Sequence, residues 1–116
     1  IDVLIEVNMA DEDSKMGVSE EDALRLIEEM KDLKHINIRG LMTIAPFTED
    51  AETNRVYFDG LRRLKDKINS KDILENKLTE LSMGMTGDYR VAIEEGATLV
   101  RVGTGIFGER NYNRTI

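Results

Sequence analysis

The sequence predicts an α/β fold in which strands and helices alternate along a parallel sheet. Four short apolar segments, at residues 3–7, 36–44, 78–82 and 98–102, are separated by stretches with helical periodicity. This alternation indicates parallel strands joined by right-handed crossovers. Two architectures fit it: a small doubly wound sheet, or four consecutive units of a (β/α)8 barrel. The 116 residues suit one domain or part of one.

The first two predicted helices each carry an apolar stripe at helical spacing. Ser19 is expected to cap the first helix, because Asp22 follows three residues later in a capping-box position. Pro46 marks the loop before the second helix, which is predicted over residues 51–68. The stripes consist of Leu24, Ile27, Met30 and Leu33 in the first helix, and of Tyr57, Phe58, Leu61, Leu64 and Ile68 in the second.

The third predicted strand ends in a turn that carries a hydroxyl group. Ser82 stands at the end of the strand, and residues 83–86 are assigned to the turn. Thr86 is expected to cap a helix over residues 87–95. Asp88 falls in the first turn of that helix, where a carboxylate suits the helix dipole. Alone, such a turn is typical of any strand-to-helix connection.

The fourth predicted strand runs into a glycine-rich turn next to an arginine. Arg101 is followed by Gly103 and Thr104, and residues 103–108 match the pattern G-x-G-x-x-G. A dinucleotide site also requires an acidic residue about 20 positions later, and the sequence ends before that point. Exposed backbone N–H groups would still allow a phosphate cradle. A tight turn without a ligand is the alternative.

The two turns are expected to lie at the same rim of the sheet, because adjacent parallel strands end on the same side. Ser82 and the Gly103-Thr104 pair would then share one phosphate. In barrels, a frequent phosphate site follows strands 7 and 8, so the four units correspond to strands 5 to 8. The chain also opens inside a strand and without methionine. We therefore expect residues 1–116 to be one half of a single barrel domain, with the N-terminal half absent.

Composition argues against several classes of function. The chain has no cysteine, which excludes disulfides and thiol chemistry, and its single histidine, His35, lies in a polar connection. Metal sites and Ser-His-Asp triads are therefore not expected. The net charge of −7 disfavours nucleic-acid binding. The sequence shows neither a membrane-spanning run nor a secretory signal, so we expect a cytoplasmic protein without a membrane partner.

Motifs distributed over nearly the whole chain point to one known family. They are Val7-Asn8 with Lys15-x-Gly17, Gly40-Leu41-Met42, Arg55-x-x-Phe58, Leu81-Ser82-Met83-Gly84-Met85-Thr86-x-Asp88-Tyr89 with Ala92-Ile93, and Gly96-Ala97-Thr98-x-Val100-Arg101-x-Gly103-Thr104-x-Ile106-Phe107-Gly108-x-Arg110. In their order and spacing, the chain resembles the C-terminal half of the pyridoxal-phosphate-binding protein family. Members of that family are known as PLP homeostasis proteins, or the YggS/PROSC family.

The resemblance implies a barrel similar to the N-terminal domain of alanine racemase, with pyridoxal 5′-phosphate (PLP) as its cofactor. It implies that the phosphate lies near Ser82, Gly103 and Thr104, and that Arg101 faces the pyridine nitrogen. The implied function is non-enzymatic PLP binding in vitamin B6 homeostasis, with no catalytic residue in this chain. The alternative is a PLP-dependent racemase-like enzyme. For Arg101, the alternative is an interior salt bridge with Glu6.

Some features depart from the family pattern or limit what it implies. The family's Schiff-base lysine lies in the N-terminal half, which these residues do not include. Glu6 replaces a common glutamine, and Thr86 replaces a serine. Lys15 matches a loop lysine of the family and is read either as a solvated side chain or as a secondary PLP contact. The missing half or a second copy of the chain is expected to cover the open sheet edges.

Overall fold

A single four-stranded parallel sheet organises the computed structural model, which describes residues 1–10 and 17–103. In chain order, the elements are β1 (Asp2–Glu6), α1 (Glu20–Met30), β2 (Asn37–Met42), a 3₁₀ helix (Ala51–Asn54), α2 (Arg55–Ser70), β3 (Glu80–Met85), α3 (Tyr89–Glu94) and β4 (Leu99–Arg101). The strands lie in the order β1-β2-β3-β4, and every neighbouring pair is parallel. In a doubly wound sheet the order of the strands reverses at a switch point, and no such reversal occurs among these four strands. The consecutive order therefore favours the barrel-type alternative.

One face of the sheet packs against the helices and forms the hydrophobic core. The buried side chains of this core are Ile5, Val7, Ile38, Leu41, Leu78, Leu81 and Met83 from the sheet region, and Ala23, Ile27, Phe58, Leu61, Leu64, Ile68, Val91 and Ala92 from the helices. Burial of this apolar surface is the main force that holds the helices on the sheet.

The other face carries polar and charged groups and is called the site face below. Glu6 pairs with Met42, and Met42 pairs with Ser82, so the three side chains share one side of the sheet. Leu99 pairs with Ser82, and Arg101 lies two residues further along the same strand. The register therefore brings Glu6, Ser82 and Arg101 to the site face.

Strand β3 is longer at its C-terminal end than the sequence predicts. Residues 83–85, assigned to a turn, continue the strand to Met85, and the pairing with β4 shifts its register between Ser82 and Met85. Gly84 allows this irregularity because it adopts a positive φ of 102°. A Cβ atom at this glycine would lie 2.7 Å from the Ala92 Cβ, so its absence also lets α3 pack closely on β3.

The predicted helices are confirmed with changed bounds. The Ser19 Oγ accepts a hydrogen bond from the Asp22 N–H at 3.1 Å, which confirms the predicted cap of α1. That helix ends at Met30, so the inclusion of Leu33 in its stripe is wrong; Leu33 is 49% exposed. The segment predicted over 51–68 begins as the 3₁₀ helix and continues as α2 to Ser70.

Among the remaining strands, β1 keeps its predicted length but begins one residue earlier, whereas β2 and β4 are shorter than predicted. The segments expected at residues 3–7, 36–44 and 98–102 form β1, β2 and β4 over Asp2–Glu6, Asn37–Met42 and Leu99–Arg101. In the described ranges, no helix is long and apolar enough to cross a membrane.

Candidate functional site

Arg101 lies at the end of β4 and ties together the ends of three strands. Its Nη2 donates a hydrogen bond to the Thr43 carbonyl just beyond β2, at 2.8 Å. Its Nη1 lies 3.4 Å from the Ser82 Oγ on β3, a long hydrogen bond. The guanidinium therefore lies on the site face and is directed toward Ser82. The segments around Ser82 and Arg101 thus come close together, as the sequence predicts.

Burial and neighbouring carboxylates act on the charge of Arg101 in opposite directions. Burial lowers the pKa of Arg101, while the nearby carboxylates of Glu6 and Asp88 raise it. An arginine keeps its proton under these conditions, because its ordinary pKa is so high. The site therefore holds a permanent, half-buried cation.

Two buried polar atoms beside this cation have no hydrogen-bond partner in the described part of the chain. They are the Arg101 Nε, a donor, and the Glu6 Oε2, an acceptor. The interior salt bridge considered for these residues is therefore not made through these two atoms. Buried polar groups are nearly always satisfied in folded proteins, so an unpaired donor and an unpaired acceptor on one face point to a bound group.

Ser82 is 6% exposed and lies within β3 rather than at its end. Its carbonyl accepts a hydrogen bond from the Thr43 N–H at 3.1 Å, and its Oγ faces Arg101. Because the oxygen acts as the acceptor toward Arg101, the hydroxyl hydrogen remains available as a donor. Ser82 can therefore donate to an anionic oxygen.

The Asp88 side chain closes the turn between β3 and α3. The prediction that Thr86 caps the helix is wrong: Asp88 occupies the N-cap position, and α3 begins at Tyr89. The Asp88 Oδ1 accepts from the Met85 N–H at 2.8 Å, which closes the turn. Three turn residues separate Met85 from α3, so the helix begins two residues later than predicted. The Asp88 carboxylate stabilises this turn through its hydrogen bond to the end of β3.

Asn54 is a buried residue of the site region that the sequence reading did not identify. It is 2% exposed, and its Nδ2 donates to the Pro46 carbonyl at 2.9 Å and to the Asp88 Oδ2 at 2.8 Å. These bonds join the loop after β2 to the turn after β3. An asparagine just before a helix resembles an ordinary cap in sequence, and its contact with Asp88 appears only when the strands are neighbours.

Gly103 lies two residues beyond Arg101 and is exposed. A Cβ atom built on it meets no other atom within 4 Å, so the space beside this backbone is open. Thr104 lies outside the described residues, as does Lys15, and the predictions for both stay predictions. His35 is exposed in a turn at the opposite end of the sheet, before β2.

The residues present fit an anionic group that also carries a hydrogen-bond acceptor. Arg101 offers a buried N–H donor and a positive charge, Ser82 offers a hydroxyl, and Gly103 leaves room for close approach. Within the described residues, no group of three or more His, Cys, Asp or Glu side chains is arranged to hold a metal ion. The side-chain donors that the site offers are the Arg101 guanidinium and the Ser82 hydroxyl.

Known proteins resemble this chain in both sequence and structure. It is 49% identical to the pyridoxal phosphate homeostasis protein of Aquifex aeolicus over 111 residues, which are 96% of this chain and 48% of that protein. The structure of PipY from Synechococcus elongatus PCC7942 with PLP bound matches with a TM-score of 0.81 and 33% identity, over 92% of this chain and 49% of that one. An unknown protein from Bifidobacterium adolescentis matches with a TM-score of 0.84 and 42% identity, over 92% and 43%.

These matches confirm the resemblance that the motifs indicate. The chain spans about half the length of the curated relatives it matches, as the 48% share of the Aquifex protein illustrates. The family model described as alanine racemase, N-terminal domain, matches residues 1–111. The strand order, the guanidinium at the end of β4 and this match agree, and the chain belongs to the alanine racemase N-terminal domain family.

Proposed function

We propose that this chain forms the phosphate-binding part of a PLP site and serves non-enzymatic PLP homeostasis. The observation that carries the proposal is the position of Arg101 at the end of β4, where its Nη1 lies 3.4 Å from the Ser82 Oγ on the adjacent strand. Its Nε is buried and has no hydrogen-bond partner among the described residues. The PLP-bound structure of PipY, a relative that matches 92% of this chain, supports the choice of ligand.

Each proposed residue has a distinct role toward the ligand. The Ser82 hydroxyl and the backbone N–H groups of Gly103 and Thr104 bind the phosphate, because all three are uncharged donors that can approach its oxygens. Arg101 donates to the pyridine nitrogen, which then has no need of a proton of its own.

PLP, when bound, supplies an aldehyde and a ring that can accept electrons. A ring nitrogen that faces a guanidinium makes the ring a weaker electron acceptor than one that faces a carboxylate. The arrangement therefore suits storage of PLP better than turnover. The lysine that holds PLP covalently in the family is expected in the N-terminal half of the barrel, outside this chain.

The open site face and sheet edges suggest how the barrel is completed. Strands β1 and β4 each have one unpaired edge among the described residues, and Leu99 on the site face is 48% exposed. We propose that residues 1–116 form half of one PLP-binding barrel domain. The other half, or a second copy of the chain, would cover these edges. The relatives are about twice as long, since the chain covers 48% of the Aquifex protein, and this favours the N-terminal half.

The test of this function is a PLP titration of the complete protein, followed by assays with amino acids. We expect saturable PLP binding, and no measurable racemisation or transamination of a panel of L- and D-amino acids. The variant Ser82→Ala should weaken PLP binding about tenfold, the loss expected for one hydrogen bond to a charged group. Ser70→Ala, which changes an exposed serine on α2, is the matched control. Rapid turnover with an amino acid would instead establish the racemase-like alternative.

A further inference from the structure

Glu6 is a charged residue of the site face to which the proposed function gives no role. It lies at the end of β1, and the register places its side chain on the same face as Ser82. Its Oε2 is buried without a hydrogen-bond partner in the described ranges. A buried carboxylate oxygen without a donor is costly, so its presence calls for a reason.

The backbone around Glu6 fixes this residue firmly. Its carbonyl accepts a hydrogen bond from the Val18 N–H at 2.9 Å, and a Cβ atom at Gly17 would lie 2.8 Å from the same oxygen. The Glu6 Cγ is equally close, at 2.9 Å from that Cβ position. The segment at Gly17 and Val18 therefore packs directly on Glu6 and limits its movement away from the site face.

Arg101 is the group on which the charge of Glu6 acts. Two carboxylates influence the guanidinium: Glu6 from β1, and Asp88 from the start of α3. Strands β2 and β3 contribute only neutral partners, the Thr43 carbonyl and the Ser82 hydroxyl. Asp88 is already engaged by the Met85 N–H and by Asn54, whereas the Glu6 Oε2 has no such partner.

We propose that the Glu6 carboxylate balances the charge of Arg101 and thereby sets how readily the ring nitrogen of a bound pyridine phosphate takes up a proton. A guanidinium alone opposes a second positive charge on the ring nitrogen that it faces. A carboxylate on the same face favours that charge and partly cancels the opposition. Glu6 is thus a positioning and charge-balancing residue that acts through Arg101. This inference rests on the proposed function, because it requires a pyridine ring beside Arg101.

The test uses pyridoxine 5′-phosphate labelled with ¹⁵N in the ring, because this probe has no aldehyde and binds without a lysine. The ¹⁵N chemical shift of the bound probe, followed against pH in the complete protein, reports protonation of the ring nitrogen. In Glu6→Gln, which keeps the shape and removes the charge, we expect the midpoint to fall by about one pH unit, as for loss of one nearby charge. Glu6→Asp should stay close to the wild-type midpoint.

Glu80→Gln is the matched control, since it removes one negative charge from the same face. Glu80 pairs with Gly40 two residues before Ser82, its carboxylate is bound by the Thr79 hydroxyl, and it is not among the carboxylates that raise the pKa of Arg101. Its midpoint should match that of the wild type. Equal shifts in Glu6→Gln and Glu80→Gln, or no shift in Glu6→Gln, would overturn the inference.

The wild-type protein provides a second readout that needs no variant. Because Glu6 offsets the charge of Arg101 only in part, the midpoint of the bound probe should lie below that of the free probe, by less than about three pH units. A midpoint more than three pH units below that of the free probe would mean that Arg101 acts unopposed, and would reject the role of Glu6. Failure of the wild type to bind the probe at all would instead count against the proposed function.

Discussion

The contacts of Arg101 explain why an arginine, and not a lysine, lies at the end of β4. Its planar guanidinium reaches the Thr43 carbonyl on one side and the Ser82 hydroxyl on the other. The Nε–H has no partner among residues 1–10 and 17–103, and the proposed function assigns it to the ligand. A lysine carries a single ammonium group on a flexible stem and cannot hold these three directions at once.

The variant Arg101→Lys is therefore expected to weaken PLP binding at least tenfold in the complete protein, although the positive charge is kept. Equilibrium dialysis at several PLP concentrations measures this loss. Arg90→Lys is the control, because Arg90 lies exposed on α3 and contacts only the neighbouring Tyr89 ring in the described region. Full PLP affinity in Arg101→Lys would show that charge alone suffices and that the guanidinium geometry has no role.

The residues of the site were predictable where local chemistry marks them. Ser82 and Arg101 follow apolar segments near strand ends, and this position is visible in the sequence. Asn54 was not predictable in the same way, because its partner Asp88 is distant in the sequence and meets it only through the pairing of β2 with β3. The unpaired state of the Glu6 Oε2 is likewise a property of the packed sheet.

At the scale of the element, β3 and α3 depend on the two glycines of their connection in different ways. Gly84 has a positive φ and lies against Ala92, so both its conformation and its lack of a side chain are needed. Gly87 lies three residues later in the turn, and a Cβ built on it meets nothing within 4 Å. Glycine is therefore required at position 84, whereas the space at position 87 would accommodate a side chain.

Gly84→Ala is expected to lower the free energy of unfolding by about 1–3 kcal/mol, because the added methyl group collides with Ala92 and the backbone is strained. Urea unfolding followed by circular dichroism measures this change. Gly87→Ala should stay within about 0.5 kcal/mol of the wild type. Equal losses in the two variants would contradict the distinct roles assigned here.

Element bounds were less predictable than element order. The alternation of strands and helices is confirmed throughout, because hydrophobic periodicity records it directly. The extension of β3 to Met85 was missed because glycine and methionine near a strand end resemble a turn. The register irregularity that allows the extension depends on β4, and pairing partners are not visible in a single strand.

At the scale of the whole molecule, the sheet presents two open edges and one polar face. Helices cover the other face, so the described part of the chain is stabilised on one side only. In a complete barrel, neighbouring strands would close both edges and a second set of side chains would meet the site face. Under the proposed division of the barrel, residues 1–116 alone would lack much of the burial that the complete fold provides.

Residues 1–116 produced alone are expected to associate rather than remain monomers of 13.2 kDa. Light scattering on a size-exclusion column would measure the mass of the species formed. Addition of the N-terminal half as a separate polypeptide should convert these species to a one-to-one complex. A stable monomer that does not bind the N-terminal half would argue against the proposed division of the barrel.

The strand order β1-β2-β3-β4 has a consequence for how the protein acquires its shape. Each pairing among these four strands joins neighbours one crossover apart in the sequence, so these three pairings do not depend on a remote segment. The sheet can therefore grow strand by strand, because each strand pairs with the one before it in the sequence. A defect in one strand would then directly disturb only the strands on either side of it.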